Sequence, residues 1–241
     1  MERYPNPPGG APSDLDIVLR AKEQRVESSD CLSVLFQKPR GFAFAAGGWI
    51  DIRFLSPDLA TGRTFSLSSS PTEPDLQITF KRGVSPFKER LQATKPGDLA
   101  LITQHGTNNL VFDKRRPAVF IAGGVGIAPF RSMLKEAVDN RDRLAITLIY
   151  ITRAADDAPF TGEIEIWKHD WPELTTHYVS TRRDGRVTRA MLEAFAGSAA
   201  EVAQSRFYVA GPPSMVASTE TLLGQLAVPA DQIRKDPFEG Y

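Results

Sequence analysis

Cysteine is almost absent from this 241-residue sequence, which contains only Cys31. A single thiol excludes an internal disulfide and a cysteine-ligated iron–sulfur cluster within these residues. Histidine is scarce as well, and the three histidines show no paired spacing of the kind that binds zinc. No G-x-S-x-G nucleophile elbow occurs either. Metal-hydrolase and serine-hydrolase functions therefore have little support, and no metal site is predicted.

The sequence also lacks an excess of charge of either sign, with 29 basic and 29 acidic residues. Nucleic acid and anionic membrane surfaces are therefore not predicted partners. No run of about 18 uncharged apolar residues is present, which argues against a membrane span. Residues 1–13 are rich in proline and glycine and do not resemble a signal peptide, so we interpret them as a mobile leader. A cytoplasmic location is expected.

The chain is long enough for two modest domains, because single cores usually belong to units of about 100–200 residues. From residue 14 to about 113, short alternating apolar stretches are separated by Pro, Gly, Ser and Asp clusters, which is typical of an antiparallel β-barrel. One helix is predicted at 86–93. The predicted strands include residues 17–19, 32–36, 49–54, 76–80 and 99–102.

From residue 114 to 241, apolar runs alternate with amphipathic segments. Strands are predicted at 118–122, 145–151, 176–179 and 207–210, and helices at 129–138, 188–195 and 213–226. Such alternation is typical of a doubly wound parallel sheet with helices on both faces. The expected fold is therefore an N-terminal barrel followed by an α/β domain.

A glycine-rich turn follows the first strand of the second domain. Its backbone N–H groups and those at the following helix N-terminus can donate to phosphate oxygens, although a glycine turn without a ligand is the simpler alternative. A proline replaces the third glycine of the usual dinucleotide fingerprint, which indicates a variant nucleotide site. The residues concerned are Gly123, Gly124, Val125, Gly126 and Pro129.

Three motifs occur together in a specific order: Arg63 to Ser69, Gly123 to Pro129, and Gly211 to Met215. They resemble the ferredoxin–NADP reductase superfamily, whose flavin barrel carries an R-x-[YF]-S motif. The resemblance covers residues 14 to 241. It implies transfer of hydride from NADPH or NADH to FAD, with FMN less expected, and then of electrons to a separate acceptor.

The resemblance assigns flavin contacts in the barrel. Arg63 would pair with the flavin pyrophosphate, Phe65 would pack on the ring and Ser66 would lie beside flavin N5, as a catalytic group. The alternatives are a surface arginine in a turn for Arg63, a solvent-facing strand serine for Ser66 and an ordinary solvated strand end for Lys81. The further residues assigned to the flavin are Thr64, Phe80, Lys81, Gly83, Val84 and Ser85.

The last residues carry two further expectations. Tyr241 resembles the terminal aromatic that lies over the flavin ring and moves aside for nicotinamide, since stacking is weak enough to be displaced. Glu239 resembles a carboxylate near a proton path, and a solvated glutamate is an equal alternative. Both are assigned catalytic roles on a tail that returns to the flavin.

The nicotinamide nucleotide would lie on the second domain. Ser180, Arg182 and Arg183 resemble a 2′-phosphate site, which favours NADPH, although a basic surface loop fits the same pattern. Arg153 would reach a phosphate or simply end a strand. Ala210 replaces a cysteine common in the family, which should alter packing and rate without abolishing the reaction. The remaining assigned residues are Gly211, Pro212 and Met215.

Three hypotheses about the acceptor follow. The first is a ferredoxin or flavodoxin, and the second is an oxygenase served by this chain as its reductase component. The third is a non-catalytic flavin or nucleotide sensor. Intact Arg63, Ser66, Gly124 and Gly126 count against the third.

Overall fold

The computed structural model describes residues 16–59, 61–107 and 110–238. The predicted leader, Glu239 and Tyr241 lie outside these ranges. The described residues form one six-stranded antiparallel sheet and one five-stranded parallel sheet. The two predicted architectures, a barrel followed by an α/β unit, are therefore confirmed.

The first sheet has the strand order β4-β3-β6-β1-β2-β5. An isolated antiparallel bridge between Leu67 and Ile78 joins the end of β4 to β5, so that the sheet closes into a barrel. Its elements are β1 (Ile17–Val26), β2 (Cys31–Gln37), β3 (Trp49–Arg53), β4 (Arg63–Ser66), β5 (Asp75–Lys81), α1 (Pro86–Gln92) and β6 (Leu99–Gly106).

Residues two apart point to the same side of a strand, and this spacing fills the barrel interior. Ile50 and Ile52 on β3 and Leu76, Ile78 and Phe80 on β5 are at most 2% exposed. Strand β4 was absent from the predicted strands, because its sequence Arg-Thr-Phe-Ser begins with two exposed polar residues and lacks apolar alternation.

The second sheet is parallel and has the order β11-β10-β7-β8-β9. Its strands are β7 (Ala118–Gly123), β8 (Ile146–Thr152), β9 (Leu174–Ser180), β10 (Arg206–Gly211) and β11 (Ile233–Pro237). Its helices are α2 (Ile127–Asn140), α3 (Thr161–His169), α4 (Arg189–Ala196), α5 (Ala199–Gln204) and α6 (Pro213–Gln225). Short 3₁₀ helices lie at Pro57–Leu59, Gly124–Gly126, Ala155–Asp157 and Ala230–Gln232.

Both faces of the parallel sheet are covered by helices. On β7, Phe120 packs in the core beneath α2 and α3, whereas Val119 and Ile121 pack in the core beneath α4 and α6. Every residue of β7 is buried, as expected for a central strand of a parallel sheet. Within the described ranges, none of the helices is both long enough and apolar enough to cross a bilayer.

Candidate functional site

The two glycine motifs meet where the strand order of the parallel sheet reverses. The chain runs from β7 outward to β8 and β9, and then returns to the other side of β7 as β10. In open α/β sheets, ligands bind at the carboxyl ends of the strands at such a switch point. Gly123 ends β7 and Gly211 ends β10, so both motifs lie at this edge.

Three of these glycines allow close packing. A Cβ on Gly126 would collide with the backbone carbonyl of Ala210, and a Cβ on Gly123 would lie 2.5 Å from Cε of Met215. Gly211 has a φ of 145°, which other residues rarely adopt, and a Cβ there would also meet Met215, at 2.7 Å. Met215 is therefore a packing residue between the two strand ends.

Gly124 differs from the other three. It has a φ of 53°, and no heavy atom lies within 4 Å of the position of a Cβ. The hydroxyl of Tyr150 donates to the carbonyl of Gly124 at 3.1 Å and fixes this peptide. Val125 and Pro129 are buried beside it. The turn thus leaves an open backbone surface at the switch point, which suits a diphosphate.

On the barrel, Arg63 and Phe65 meet the start of helix α1. The guanidinium of Arg63 lies 5.8 Å from the ring centroid of Phe87, and the ring of Phe65 stacks on Phe87 with centroids 6.1 Å apart. Arg63 is exposed, and among the described residues its guanidinium donates only to the carbonyl of Gly62, at 3.0 Å. Ser85 caps α1 by accepting from the N–H of Lys88. Arg63 therefore has donors left for an anion.

Ser66 keeps an unused hydroxyl. It is 9% exposed, and within the described part of the chain its Oγ has no hydrogen-bond partner. The nearby Ser68, Ser69 and Ser70 all use their hydroxyls, with Gln77, Thr79 and Thr72 among their partners. Ser66 Oγ is not among the enclosed atoms that lack a partner, so this hydroxyl is accessible and can hydrogen-bond a ligand at the end of β4.

The other barrel residues assigned to the flavin are placed as follows. Thr64 donates its hydroxyl to Asp51, and the side chain of Phe80 lies inside the barrel. The ammonium of Lys81 bonds Asp30 at 2.7 Å, and this hydrogen bond raises the pKa of Lys81. Lys81 is therefore already paired.

Among the residues from Phe80 to Ser85, those after the end of β5 form a turn that is largely exposed to solvent. Val84 is 89% exposed, and the carbonyl of Gly83 accepts from Gln92 at 2.7 Å. The backbone between Gly83 and Ser85, rather than a side chain, is therefore the part of this segment that can face a phosphate.

Helix α2 brings the two motifs together. Its residue Ser132 donates to the carbonyl of Ser69 at 2.6 Å and accepts from the N–H of Gly47 at 3.3 Å. Cα atoms of β5 and of the Gly124–Gly126 turn come within 8 Å of each other. Strand β5, which the glycine turn approaches, is bridged through Ile78 to Leu67, the residue after Ser66, so Ser66 lies close to this junction.

The end of β9 is less basic than its sequence suggests. Arg183 forms a forked pair with Asp184 at 2.7 and 2.9 Å, and Asp184 also accepts from the N–H of Ser180. The hydrogen bond from Arg183 is the largest cause that lowers the pKa of Asp184. The hydroxyl of Ser180 donates to the carbonyl of Arg153. Asp184 was missed because it lies past the strand end, beyond the offset of the usual acidic residue.

Two arginines remain available near this strand end. Arg182 and Arg153 are exposed, and their guanidinium groups have no partner among the residues that the structure describes. Their backbones are joined, since the N–H of Arg182 donates to the carbonyl of Arg153 at 3.1 Å. The sequence-predicted cluster is therefore brought together, with Arg182 and Arg153 as its free cations.

The segment after β11 reaches the same edge of the sheet. Strand β11 runs parallel to β10, and the N–H of Phe238 donates to the carbonyl of Gly211 at 2.9 Å. Phe238 also packs against the core beneath α2 and α3. Glu239 and Tyr241 follow directly but lie outside the described residues, so their roles stay predictions.

Comparisons with known proteins agree with this geometry. Residues 120–221 match the family model of the oxidoreductase NAD-binding domain. The chain is 27% identical over 206 residues to the terephthalate 1,2-dioxygenase reductase component 1 of Comamonas sp, covering 81% of this chain and 59% of that protein. It is 26% identical over 231 residues to flavohemoprotein A of Dictyostelium discoideum, covering 88% and 57%. The chain thus spans about 60% of the length of these curated relatives.

Solved structures share the fold of both halves. A ferredoxin NADP+ reductase from Neisseria gonorrhoeae with bound FAD and NADP superposes with a TM-score of 0.81 at 18% identity, covering 93% of this chain and 99% of that one. The barrel and the parallel sheet together reproduce the fold of this neighbouring structure. The fold is that of the ferredoxin–NADP reductase superfamily, and the predicted resemblance to this superfamily is confirmed.

Proposed function

We propose that this chain is a flavin-dependent reductase that takes hydride from NAD(P)H and delivers electrons to a separate acceptor. The observation that carries the proposal is the accessible hydroxyl of Ser66, which has no partner among the described residues, close to the junction where the open Gly124 turn meets the barrel. When bound, the flavin would accept a hydride, meaning two electrons and a proton, and release the two electrons to the acceptor.

The residues fit such a cofactor. Arg63 has free donors in a planar fork, which suits the pyrophosphate of FAD, and the backbone of the turn before α1 lies beside it. Phe65 offers its ring beside Phe87. Ser66 would hydrogen-bond the flavin at N5 and hold a proton at that atom. FAD is proposed over FMN, in keeping with the neighbouring reductase that binds FAD.

The nucleotide would lie across the switch point. Gly124 would admit the diphosphate, and Gly211 and Met215 would border the nicotinamide end, where Ala210 takes the place of a thiol. We keep NADPH as the expected donor, and the preference would depend on Arg182, because Asp184 already neutralises Arg183. A carboxylate at this position would also repel a 2′-phosphate, so NADH remains the alternative.

The acceptor is proposed in two forms. A ferredoxin or flavodoxin was expected from the resemblance, and an oxygenase component is favoured by the similarity to a dioxygenase reductase. A non-catalytic sensor stays the third candidate. The Tyr241 gate, the role of Glu239, the cytoplasmic location and the domain limits at 14–113 and 114–241 also stay predictions.

The test starts with the purified protein, its visible spectrum and reconstitution with FAD or FMN. Anaerobic mixing with NADPH and, separately, with NADH should bleach the flavin in rapid-mixing experiments. Ser66→Ala should bind flavin with little change and slow this reduction by about 10²-fold, a typical contribution of a group that assists proton movement. A protein that binds neither flavin would disprove the proposal, and faster bleaching by NADH would reverse the donor preference.

A further inference from the structure

Arg131 on helix α2 is a buried cation at the junction of the two halves. It is 5% exposed and uses all of its donors on protein acceptors. Glu73 receives two of its hydrogen bonds, at 2.5 and 3.1 Å, and Glu163 receives two, at 2.9 and 2.6 Å. The fifth goes to the carbonyl of Ser68, at 2.9 Å. No donor is left for a ligand.

The acceptors of Arg131 belong to different halves of the molecule. Ser68 and Glu73 lie on the barrel side, between β4 and β5, whereas Glu163 lies on α3. The rings of Phe160 and Trp167 flank the guanidinium, with centroids 5.3 and 5.8 Å away. One planar group therefore ties the barrel to two helices of the parallel sheet.

The charge of Arg131 is secured by this arrangement. Burial opposes the cation, but the hydrogen bonds to Glu73 and Glu163 outweigh that penalty and raise the pKa of the guanidinium. Lysine has a single ammonium in place of this fork and does not reproduce bonds to three acceptors in one plane. The contact therefore depends on the geometry of arginine as well as on its charge.

The position of Arg131 connects the two predicted sites by a short route. It lies five residues after Gly126, about 7 Å along a helix that starts at the nucleotide turn. Its acceptor Ser68 lies two residues after Ser66. The next residue of α2, Ser132, holds the carbonyl of Ser69 at 2.6 Å, so consecutive residues of one helix hold consecutive carbonyls of the flavin motif.

We infer that Arg131 is a positioning residue, which sets the distance and orientation between the nicotinamide site and the flavin site through Ser68 and Glu73. This inference rests on the proposed function. A misplacement of about 1 Å between reacting groups can lower a rate by about 10²-fold. Loss of the contact should therefore slow flavin reduction, while each half keeps its own ligand contacts.

The chain offers a matched pair of variants. Glu73→Gln weakens the bond of Arg131 across the junction, and Glu163→Gln weakens the equivalent bond within the second half. Both carboxylates belong to partly buried side chains, 21% and 33% exposed, so the two changes are comparable. Arg131→Met removes the whole contact, and Arg131→Lys retains only the charge.

Rapid mixing with saturating NADPH or NADH measures the reduction rate, and titrations give the affinities for flavin and nucleotide. We expect the rate of flavin reduction to fall about 10²-fold in Arg131→Met and about tenfold in Glu73→Gln. The affinities for flavin and nucleotide should stay within about twofold of wild type in both variants. The rate of flavin reduction in Arg131→Lys should lie between those of Arg131→Met and wild type. Glu163→Gln should slow reduction by less than about threefold.

A second measurement is independent of turnover. Spin labels on Lys95→Cys and Glu193→Cys, exposed positions on the two halves, report the spread of distances between them. Cys31 is 2% exposed, so it should not compete for label. We expect the distance distribution to broaden in Glu73→Gln and to stay narrow in Glu163→Gln.

The outcomes separate the two proposals. Wild-type protein whose bound flavin is reduced by neither nucleotide would refute the proposed function. In that case the spin-label distance distributions alone would test whether Arg131 holds the two halves in position. Wild-type reduction rates in Glu73→Gln and Arg131→Met would overturn the inference while leaving the function intact. Equal slowing by Glu73→Gln and Glu163→Gln, or an unchanged label distribution in Glu73→Gln, would overturn it as well. If Arg131→Met fails to fold, the comparison of Glu73→Gln with Glu163→Gln still tests the inference.

Discussion

The barrel and the parallel sheet build their candidate sites in opposite ways. The barrel presents side chains with spare hydrogen-bonding capacity, namely Arg63 and Ser66, which the fold itself does not use. The sheet presents backbone, because Gly123, Gly126 and Gly211 let two strand ends approach so closely that a Cβ would meet neighbouring atoms. Substitutions in the barrel should therefore impair ligand binding first, and substitutions at the sheet edge should impair folding first.

The largest stability effect should come from Gly126→Ala. The added methyl would meet the backbone carbonyl of Ala210, which cannot move like a flexible side chain. Overpacking of this kind costs about 1–3 kcal/mol, and we expect the upper part of that range. Urea unfolding followed by circular dichroism measures the change in the free energy of unfolding.

Two other glycines serve as controls for Gly126. Gly224→Ala lies inside α6 with open space around it, and it should raise stability by up to about 1 kcal/mol. Gly124→Ala should lower stability by about 1–2 kcal/mol through its positive φ, and it should weaken nucleotide binding by filling the open surface. If Gly126→Ala proved no worse than Gly124→Ala, the close-packing role of Gly126 would be wrong.

The next effect should appear in flavin affinity. Arg63→Ala removes hydrogen bonds to a charged group, each worth about 1.5–3 kcal/mol, so the dissociation constant for FAD should rise at least tenfold. The free energy of unfolding of the flavin-free protein should change by less than about 0.5 kcal/mol, as is usual for substitutions at surface positions.

Arg20→Ala is the matched control for Arg63→Ala. Arg20 is an exposed arginine of the same barrel that also donates to one backbone carbonyl, that of Gly97. Fluorescence titration with FAD compares the two variants. An equal loss of affinity in both would contradict the assignment of Arg63 to the pyrophosphate.

A smaller effect is expected at the pair of Asp30 and Lys81. Desolvation acts to raise the pKa of Asp30, but hydrogen bonds from Lys81 and Cys31 outweigh it and lower this pKa. The stabilisation is therefore present above the unfolded-state pKa of about 3.9 and is lost as the pH falls through the lower folded value. For an exposed pair it should stay below about 1 kcal/mol.

Asp30→Asn tests this pair in two ways. The variant should lose the part of the acid dependence of unfolding that Asp30 supplies, seen by comparing denaturation at pH 7 and near pH 3. It should also release Lys81, and a gain in FAD affinity would show that Lys81 can bind phosphate once it is unpaired. Unchanged acid dependence would show that the pair contributes nothing to stability.

The smallest effect concerns the single thiol. Burial raises the pKa of the Cys31 thiol to about 12, so very little thiolate forms near neutral pH. The native protein should therefore react slowly with a thiol reagent at pH 8, and the urea-unfolded protein should react rapidly. Equal rates in the two states would show that the β1–β2 turn opens readily.

Much of the fold was predictable from the sequence. Alternation placed strands in both halves, and the glycine turn correctly marked the end of β7. Strands β4 and β11 and helices α3 and α5 were not predicted. Strand β11 has the polar sequence Ile-Arg-Lys-Asp-Pro, and α3 begins with Thr161 and Gly162, so tertiary contacts rather than local preference form these elements.

Less of the site was predictable. The motif pointed to Ser66, but only the structure shows that Ser68, Ser69 and Ser70 use their hydroxyls while that of Ser66 has no partner among the described residues. The pairing of Arg183 with Asp184 and of Lys81 with Asp30 was invisible, because a sequence shows charges but not which of them meet. These pairings decide which cations remain free for phosphate.

The sequence by itself determined the two sheets and the open glycine turn, because residue spacing and glycine act on the local backbone. Only the tertiary structure decided how the halves meet. Arg131 bonds Glu73 and Ser68 across separations of 58 and 63 residues. Such contacts depend on how a barrel packs on a sheet, and no local pattern records that packing. The motifs predicted to bind flavin and nucleotide were readable in the chain, whereas their relative position is set by long-range contacts such as those of the buried Arg131.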